Sequence, residues 1–193
     1  AVVAMAQETS GRSAGAFRLI IAALGDAGWE REELDTIAVG LGPGSYHGIR
    51  AAIAMAEGWA VGRKVRLVGV SSVAALAMQW GRECVDGAFT VAVDAQRGEF
   101  YCADFVAEAG VTREEVPLHL VKAADIADRL RARRTVCGPD LAARFAGAHE
   151  AFPMAGAVGC LAAEEPDTET RARLEPIYLR KTEFVKAPPM RFG

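Results

Sequence analysis

The sequence predicts an α/β protein made of two related halves, residues 1–87 and 88–193. In the first half, short apolar runs alternate with segments of helical period, an order that requires parallel strands. The second half opens on a β-hairpin pattern and continues into a helix and a short strand. Hydrophobic residues make up 51% of the 193 residues, which is enough for the core of such a layered protein.

The first half is predicted to alternate strands and helices from its first residue. Phe17, Ile20 and Leu24 recur at helical spacing and define the core face of its first helix, which Gly28 ends. The predicted elements are a strand Ala1–Ala6, a helix Ser13–Ala27, a strand Thr36–Val39, a helix Ile49–Val61, a strand Leu67–Val70 and a helix from Ser72 to Trp80.

The second half is predicted to begin with antiparallel strands and to end in helix–strand–helix order. Because the first half begins where an equivalent hairpin should already have ended, the comparison predicts a missing N-terminal hairpin. The predicted elements are strands Phe89–Val93, Phe100–Val106 and Val111–Leu120, a helix Ala123–Arg133, a strand Thr135–Cys137, and a turn Gly138–Asp140 leading into another helix.

Charge and cysteine usage exclude several classes of protein. A net charge of −3 and a pI of about 5.7 provide no general basic field for nucleic acid. The four cysteines are scattered without a Cys-x-x-Cys pair, which argues against a zinc site and a disulfide framework. With no signal peptide and no apolar run of membrane-spanning length, we expect a cytoplasmic protein without a membrane partner.

Four glycines lie between a predicted strand and a predicted helix in the segment Gly40–Arg50. Such a turn suits an anion, because free amide groups and the helix dipole meet there. The segment lacks the Lys of a Walker loop, the glycine spacing of a dinucleotide fingerprint and the Gly-x-Ser-x-Gly order of a hydrolase elbow. The sequence therefore leaves two interpretations of this segment: a turn that binds a ligand and a turn that binds none.

The predicted helix Ile49–Val61 has a second face that is small and uncharged, where a surface helix normally carries charge. Small side chains let another helix approach closely, and exposed apolar surface often marks a partner site. The alternative is that both faces are buried within this chain. We predict a partner interface that includes two residues of the preceding helix. Its members are Arg18, Ala22, Ala51, Ala54, Met55, Gly58 and Gly62.

Three segments, Gly42–Arg50, Leu67–Ser72 and Val93–Tyr101, resemble the motifs of the TsaB (YeaZ) family in order and spacing. The first is similar to the family's Gly-Pro-Gly-Ser-Phe-Thr-Gly-Leu-Arg, and the third to Val-Asp-Ala-Arg-Arg-Gly-Glu-Val-Tyr. Pro176–Arg180 adds a weaker match. The resemblance covers nearly the whole chain, and three ordered motifs are more specific than any one of them.

The resemblance implies an actin-like (ASKHA) fold, a duplicated ribonuclease-H-like architecture that here lacks the N-terminal hairpin of the first half. It also implies a non-catalytic subunit that pairs with the catalytic paralogue TsaD and works with the ATPase TsaE. TsaD transfers a threonylcarbamoyl group to the adenosine next to the tRNA anticodon, so this chain would meet tRNA only through the complex. Members of the family also form homodimers.

The resemblance implies no catalytic residue, no metal ligand and no cofactor in this chain. Tyr46 and His47 replace the family's Phe and Thr, and we assign His47 a structural role. We interpret Asp94 and Arg97 as turn-forming residues. The residues that match the family's motif loops are Gly42, Pro43, Gly44, Ser45, Gly48, Arg50, Asp94, Arg97, Gly98 and Glu99.

Two enzymatic alternatives remain beside the interaction subunit. An actin-like ATPase or phosphotransferase would hold phosphates with Gly42–Gly48 and Asp94–Gly98. A glycoprotease-like peptidase is weaker, since neither a metal cluster nor a catalytic triad can be recognised. The three histidines, His47, His119 and His149, are widely separated and form no His-x-x-x-His pair.

Overall fold

The computed structural model describes residues 1–8, 15–83, 86–166 and 174–179. No helix among these residues combines the length and the apolarity needed to cross a lipid bilayer. The elements are α1 (Ala16–Ala27), a 3₁₀ turn (Arg31–Glu33), β1 (Thr36–Gly40), α2 (Tyr46–Val61), β2 (Arg66–Val70), α3 (Ser72–Glu83), β3 (Gly87–Asp94), β4 (Glu99–Glu108), β5 (Val111–Lys122), α4 (Ala123–Arg131), β6 (Thr135–Gly138), β7 (His149–Glu150) and α5 (Ala155–Glu164).

The strands form two sheets, as the α/β prediction requires. In the first sheet, β1 and β2 run parallel, from the pair Thr36–Arg66 to the pair Gly40–Val70. The second sheet has the order β5-β4-β3-β6-β7. Strands β3, β4 and β5 are antiparallel, whereas β6 pairs parallel with both β3 and β7. Parallel and antiparallel pairings therefore coexist where the sequence predicts them.

Each element predicted between residues 16 and 137 is present, with ends within a few residues of the prediction. The predicted helix start at Ser13 lies outside the described residues. Gly28 ends α1 in the left-handed conformation, with φ of 70°, which glycine adopts at little cost. Ser71 caps the start of α3, because its hydroxyl accepts a hydrogen bond from the Ala74 amide at 3.3 Å.

Two predictions at the ends of the chain are wrong. Ala1–Ala6 forms no strand within the described residues, and Val2 lies instead beside Gly156 of α5. The segment after Gly138–Asp140 makes one helical turn, with the Phe145 amide donating to the Leu141 carbonyl at 2.8 Å. It does not continue as the predicted helix, because Gly147 has a positive φ of 88°. The helix α5 follows later and was not predicted.

The first sheet is buried between two helical layers. One core cluster joins α2 to β1 and β2 through Ile49, Ile53 and Leu67, with Leu174 completing it. The opposite cluster joins β2 to α3 and α5. Since α5 and Leu174 come from the end of the chain, the C-terminal part returns to pack on the first sheet and holds it from both faces.

Candidate partner-binding surface

The two faces of α2 have opposite environments. Ile49, Ile53, Ala56 and Ala60 are buried against the first sheet. On the other side Ala54, Gly58 and Gly62 are exposed, while Ala51 and Met55 are half-buried. An added Cβ at Gly58 or Gly62 would meet no atom within 4 Å. The outer face of α2 is thus a smooth surface that another helix can approach closely.

Helix α1 supplies the neighbouring part of this surface. Arg18 and Ala22, the two α1 residues of the predicted interface, are both exposed. Phe17 is 47% exposed, although its spacing assigns it to the core face of α1. Its ring lies 6.0 Å from the ring of Trp59 on α2, centroid to centroid, which is within the range of favourable aromatic contacts. Phe17 is therefore part of the surface.

An open groove of about 420 Å³ lies between α1 and α2. Arg63 forms its rim, because its guanidinium donates to the carbonyl of Arg31 at 2.6 Å and to the carbonyl of Glu32. The Arg31 guanidinium lies 5.4 Å from the centroid of the Phe17 ring, which places a cation at an aromatic wall. The lining residues are Phe17, Arg31, Glu32, Met55, Gly58, Trp59 and Arg63.

The glycine-rich turn fixes the start of α2. Gly42 has φ of 89°, and an added Cβ would stand 2.5 Å from Cδ1 of Ile49, so this position requires glycine. Ser72 holds the turn from the side, since its Oγ accepts from the Gly42 amide at 3.1 Å and its own amide donates to the Gly42 carbonyl at 2.9 Å. The bond between Gly42 and Pro43 is cis, and Pro43 is buried.

Ser45 is the N-cap of α2, because its hydroxyl accepts from the Gly48 amide at 3.3 Å. Gly44 and Ser45 are exposed, whereas Gly48 is half-buried. Arg50 is exposed one turn further on, and its guanidinium lies 5.3 Å from the centroid of the Tyr46 ring. The first motif therefore builds a fixed helix start with an exposed surface beside it.

The third motif, Val93–Tyr101, contains the turn that connects β3 to β4. Gln96, Arg97 and Gly98 all have positive φ, from 59° to 77°. The carboxylate of Asp94 accepts from the Gln96 amide at 2.9 Å and pairs with the Arg144 guanidinium at 2.9 Å. These contacts stabilise the tight turn and engage the motif carboxylate within the chain.

The remaining motif residues extend this turn toward α4. Arg97 and Gly98 are exposed and Glu99 is half-buried. The Gly98 carbonyl accepts from the amide of Ala123, the first residue of α4, at 3.1 Å. In the described ranges, no three His, Cys, Asp or Glu side chains come together as a metal site.

An ion cluster lies buried on β4, on the side of the five-stranded sheet that α4 covers. Asp104, 4% exposed, accepts from the Thr90 hydroxyl and lies 3.2 Å from the Arg129 guanidinium. Burial alone would raise the pKa of Asp104, but the hydrogen bonds from Thr90 and Arg129 together with the Arg charges hold it below its usual value. A carboxylate within the apolar run Cys102–Phe105 is the sequence signal that could have revealed this cluster.

Known proteins resemble most of the chain. The family model described as TsaD, tRNA N6-adenosine threonylcarbamoyltransferase, matches residues 13–144. The tRNA threonylcarbamoyladenosine biosynthesis protein TsaB of Escherichia coli (strain K12) is 33% identical over 79 residues, which are 41% of this chain and 34% of that protein. The TsaB protein of Bacillus subtilis (strain 168) is 32% identical over 108 residues, 56% of this chain and 46% of its own. The matches thus span about a third to a half of these relatives.

Solved structures show the fold over a longer part of the chain. The structure described as YeaZ from Pseudomonas aeruginosa superposes with a TM-score of 0.69 at 24% identity, covering 89% of this chain and 87% of that one. A second structure, described as an uncharacterized protein with similarity to peptidase YEAZ from Pseudomonas aeruginosa, gives a TM-score of 0.66 at 23% identity. At this identity the likeness establishes the fold, and it agrees with the actin-like, ribonuclease-H-like class expected from the sequence motifs.

Proposed function

Since this chain belongs to the TsaD family of tRNA N6-adenosine threonylcarbamoyltransferases, we propose that it is a non-catalytic subunit of a complex that forms threonylcarbamoyladenosine on tRNA. It pairs with a TsaD-type catalytic subunit, works with the ATPase TsaE, and meets tRNA within that complex. In isolation it pairs with a second copy of itself. This proposal places the chain in the cytoplasm.

The exposed outer face of α2 is the observation that carries this proposal. Gly58 is exposed and lines the groove between α1 and α2, next to Phe17 and Trp59. Small residues on a helix surface bring a second helix close, and aromatic side chains in a groove provide the large buried contacts that dominate interface energies. A helix of the partner would lie along α2 with side chains entering the groove.

The turn that carries Asp94 supports a non-catalytic role. Its carboxylate accepts from the Gln96 amide within the turn and pairs with Arg144 from the segment after β6, so it is held by contacts within the chain. Across these 193 residues the histidines stand at positions 47, 119 and 149, and this spacing provides no helical pair of metal ligands. The chemistry of the transfer then belongs to the catalytic partner.

The test of the interface is Gly58→Arg. The added Cβ meets no atom within 4 Å, so the fold accepts the change, and the helix gains up to about 1 kcal/mol from the loss of a glycine. In the complex, the guanidinium would be buried without a partner at a cost of several kcal/mol. We expect affinity for the catalytic subunit to fall about 100-fold or more, measured by titration calorimetry and size-exclusion chromatography.

Gly159→Arg is the matched control, because Gly159 is an exposed helical glycine on α5 that also has open space around its Cβ. This variant should bind the catalytic subunit like the unchanged chain and support tRNA modification in a reconstituted reaction. Equal binding by both variants, with equal thermal stability, would show that the outer face of α2 is not the interface.

A further inference from the structure

Two tyrosines form an exposed aromatic column at the start of α2. Tyr46 and Tyr178 stack with ring centroids 5.8 Å apart and an interplanar angle of 29°. The guanidinium of Arg50 lies 5.3 Å from the Tyr46 centroid, and the His47 ring meets Tyr46 edge-on at 5.5 Å. Tyr46 is 52% exposed and Tyr178 is 46% exposed. Packing in the hydrophobic core therefore does not explain why these two rings are present.

The column is held in place from both ends. Tyr46 is the first residue of α2, directly after the capped glycine-rich turn. Leu174, which precedes Tyr178, is 6% exposed and belongs to the core cluster that joins α2 to β1 and β2. The amide of Ile177, directly before Tyr178, donates to the Leu41 carbonyl at 2.9 Å. Rings fixed in this way lose little conformational entropy when a ligand binds to them.

The chemistry of the column fits an unpaired nucleobase. Aromatic rings together with an Arg guanidinium are the surface on which proteins stack single-stranded RNA bases. Among the described residues, Tyr178 has one aromatic neighbour, Tyr46, so a base can extend the series Arg50–Tyr46–Tyr178 by one further ring. A guanidinium beside the rings also suits the charge of the RNA backbone better than that of an apolar protein segment.

The column lies apart from the proposed partner groove. Tyr46 and Gly58 are separated by twelve residues of the same helix, which corresponds to about 18 Å along its axis. Ala51, the predicted interface residue on α2 nearest to the rings, is about 7.5 Å from Tyr46 along the axis, so a partner helix seated between Ala51 and Gly62 borders the column and can leave its exposed rings accessible. We propose that the Tyr46–Tyr178 column stacks an unpaired base of the tRNA anticodon loop, an inference that rests on the function proposed above.

The test compares Tyr178→Leu with Tyr178→Phe in the complex with the catalytic subunit. Leucine retains apolar packing but lacks a π face, whereas phenylalanine retains the face and loses only the hydroxyl. The probe is a fluorescently labelled 17-nucleotide anticodon stem–loop RNA, titrated by anisotropy at a fixed 0.1 M salt. We expect Tyr178→Leu to weaken RNA binding about 10-fold and Tyr178→Phe to leave it unchanged, in line with the loss of one base–aromatic stack.

Phe152→Leu is the control for a ring lost elsewhere, because Phe152 is 50% exposed and belongs to another part of the chain. Equal RNA affinity for Tyr178→Leu and the unchanged complex would overturn the inference, as would weaker binding to the catalytic subunit with RNA affinity unchanged. Size-exclusion chromatography of each complex tests the proposed function separately. If no complex forms at all, the same titration with the chain alone decides the base-stacking inference by the same criterion.

Discussion

Residues 1–87 and 88–193, the two halves predicted from the sequence, have a similar order of elements and differ in the connection between their parallel strands. In the first half, α1 leads to β1, α2, β2 and α3, and β1 pairs parallel with β2. In the second half, α4 leads to β6, a segment of turns, β7 and α5, and β6 pairs parallel with β7. A 16-residue helix in one half therefore corresponds to residues 139–148 in the other, which form turns.

The connection between the parallel strands therefore affects which half presents an exposed helical face. The helix α2 has one face that seals a core and another that stays open to solvent. The turn segment of the second half instead places Leu141 fully inside the core and packs the Phe145 ring 5.4 Å from the ring of Phe100. The exposed outer face of α2 therefore has no counterpart in residues 139–148.

The largest effect on stability is expected from Leu141→Ala. Leu141 is 0% exposed and packs with Phe100, Ile126 and Val136, although it lies in a segment of turns. Truncation of a buried leucine leaves a cavity and typically costs about 2–5 kcal/mol. We expect a loss of about 3–4 kcal/mol in the free energy of unfolding, measured by urea denaturation.

Ile53→Ala in α2 is the matched truncation in the first half, since Ile53 is also buried in a core cluster. The two losses should be of similar size, because both truncations remove buried carbon atoms and leave a cavity in a packed core cluster. A loss below about 1 kcal/mol for Leu141→Ala would mean that the turn segment is not part of the core.

A smaller loss is expected when the buried ion cluster is broken by Asp104→Asn. The substitution keeps the size of the side chain but leaves Arg129, whose side chain is 20% exposed, without its carboxylate at 3.2 Å. We expect a loss of about 2–3 kcal/mol at neutral pH, somewhat below the value for a fully buried pair. In Asp94→Asn, the exposed Asp94–Arg144 pair is broken instead, and the cost should stay below about 1 kcal/mol.

The effect of Asp104 also depends on pH in a direction that follows from its pKa. The folded-state pKa of Asp104 lies below its usual value, so the folded protein binds fewer protons than the unfolded chain in that range. The stability it contributes is therefore complete above the unfolded pKa of about 3.9 and is lost as the pH falls toward the folded pKa. The difference between the unchanged chain and Asp104→Asn should shrink accordingly in urea denaturation series below about pH 4.

Most of the fold could be predicted because local signals agree with the final packing. The strands β3 and β4 have apolar runs on either side of a clear turn, and both are central in their sheet. Helix α5 could not be predicted, since its sequence is small and apolar all round and lacks a polar face that would mark a period. The helix expected after Asp140 failed because Gly147 ends the segment after one turn.

The candidate site could be predicted only where it depends on a single helix. The small outer face of α2 follows from spacing along one segment. The aromatic wall of Phe17 and Trp59 arises from two helices that meet in space, and the Arg63 rim depends on a side chain that turns back to the carbonyls of Arg31 and Glu32. Contacts between separate elements leave no periodic pattern in the sequence of either one.

The smallest effect, on reactivity alone, concerns two thiols, Cys102 in a core cluster of the second half and Cys160 on α5. Burial raises the pKa of Cys102 to about 11, even though the Arg129 guanidinium beside it acts in the opposite direction. At pH 8 about one thiol in a thousand would be ionised, and the side chain is 0% exposed as well. Cys160 on α5 is only half-buried. Iodoacetamide should therefore label Cys160 at least about 100-fold faster than Cys102 in the folded protein, as followed residue by residue with mass spectrometry.

Denaturation in urea should remove this difference, because both thiols then have ordinary pKa values and equal access. Equal labelling in the folded protein would instead mean that the core cluster around Cys102 opens on the timescale of the reaction. The ion cluster and the packing around Leu141 would then not exclude the reagent. The thiol rates thus test how tightly the core around Cys102 is closed in the folded protein.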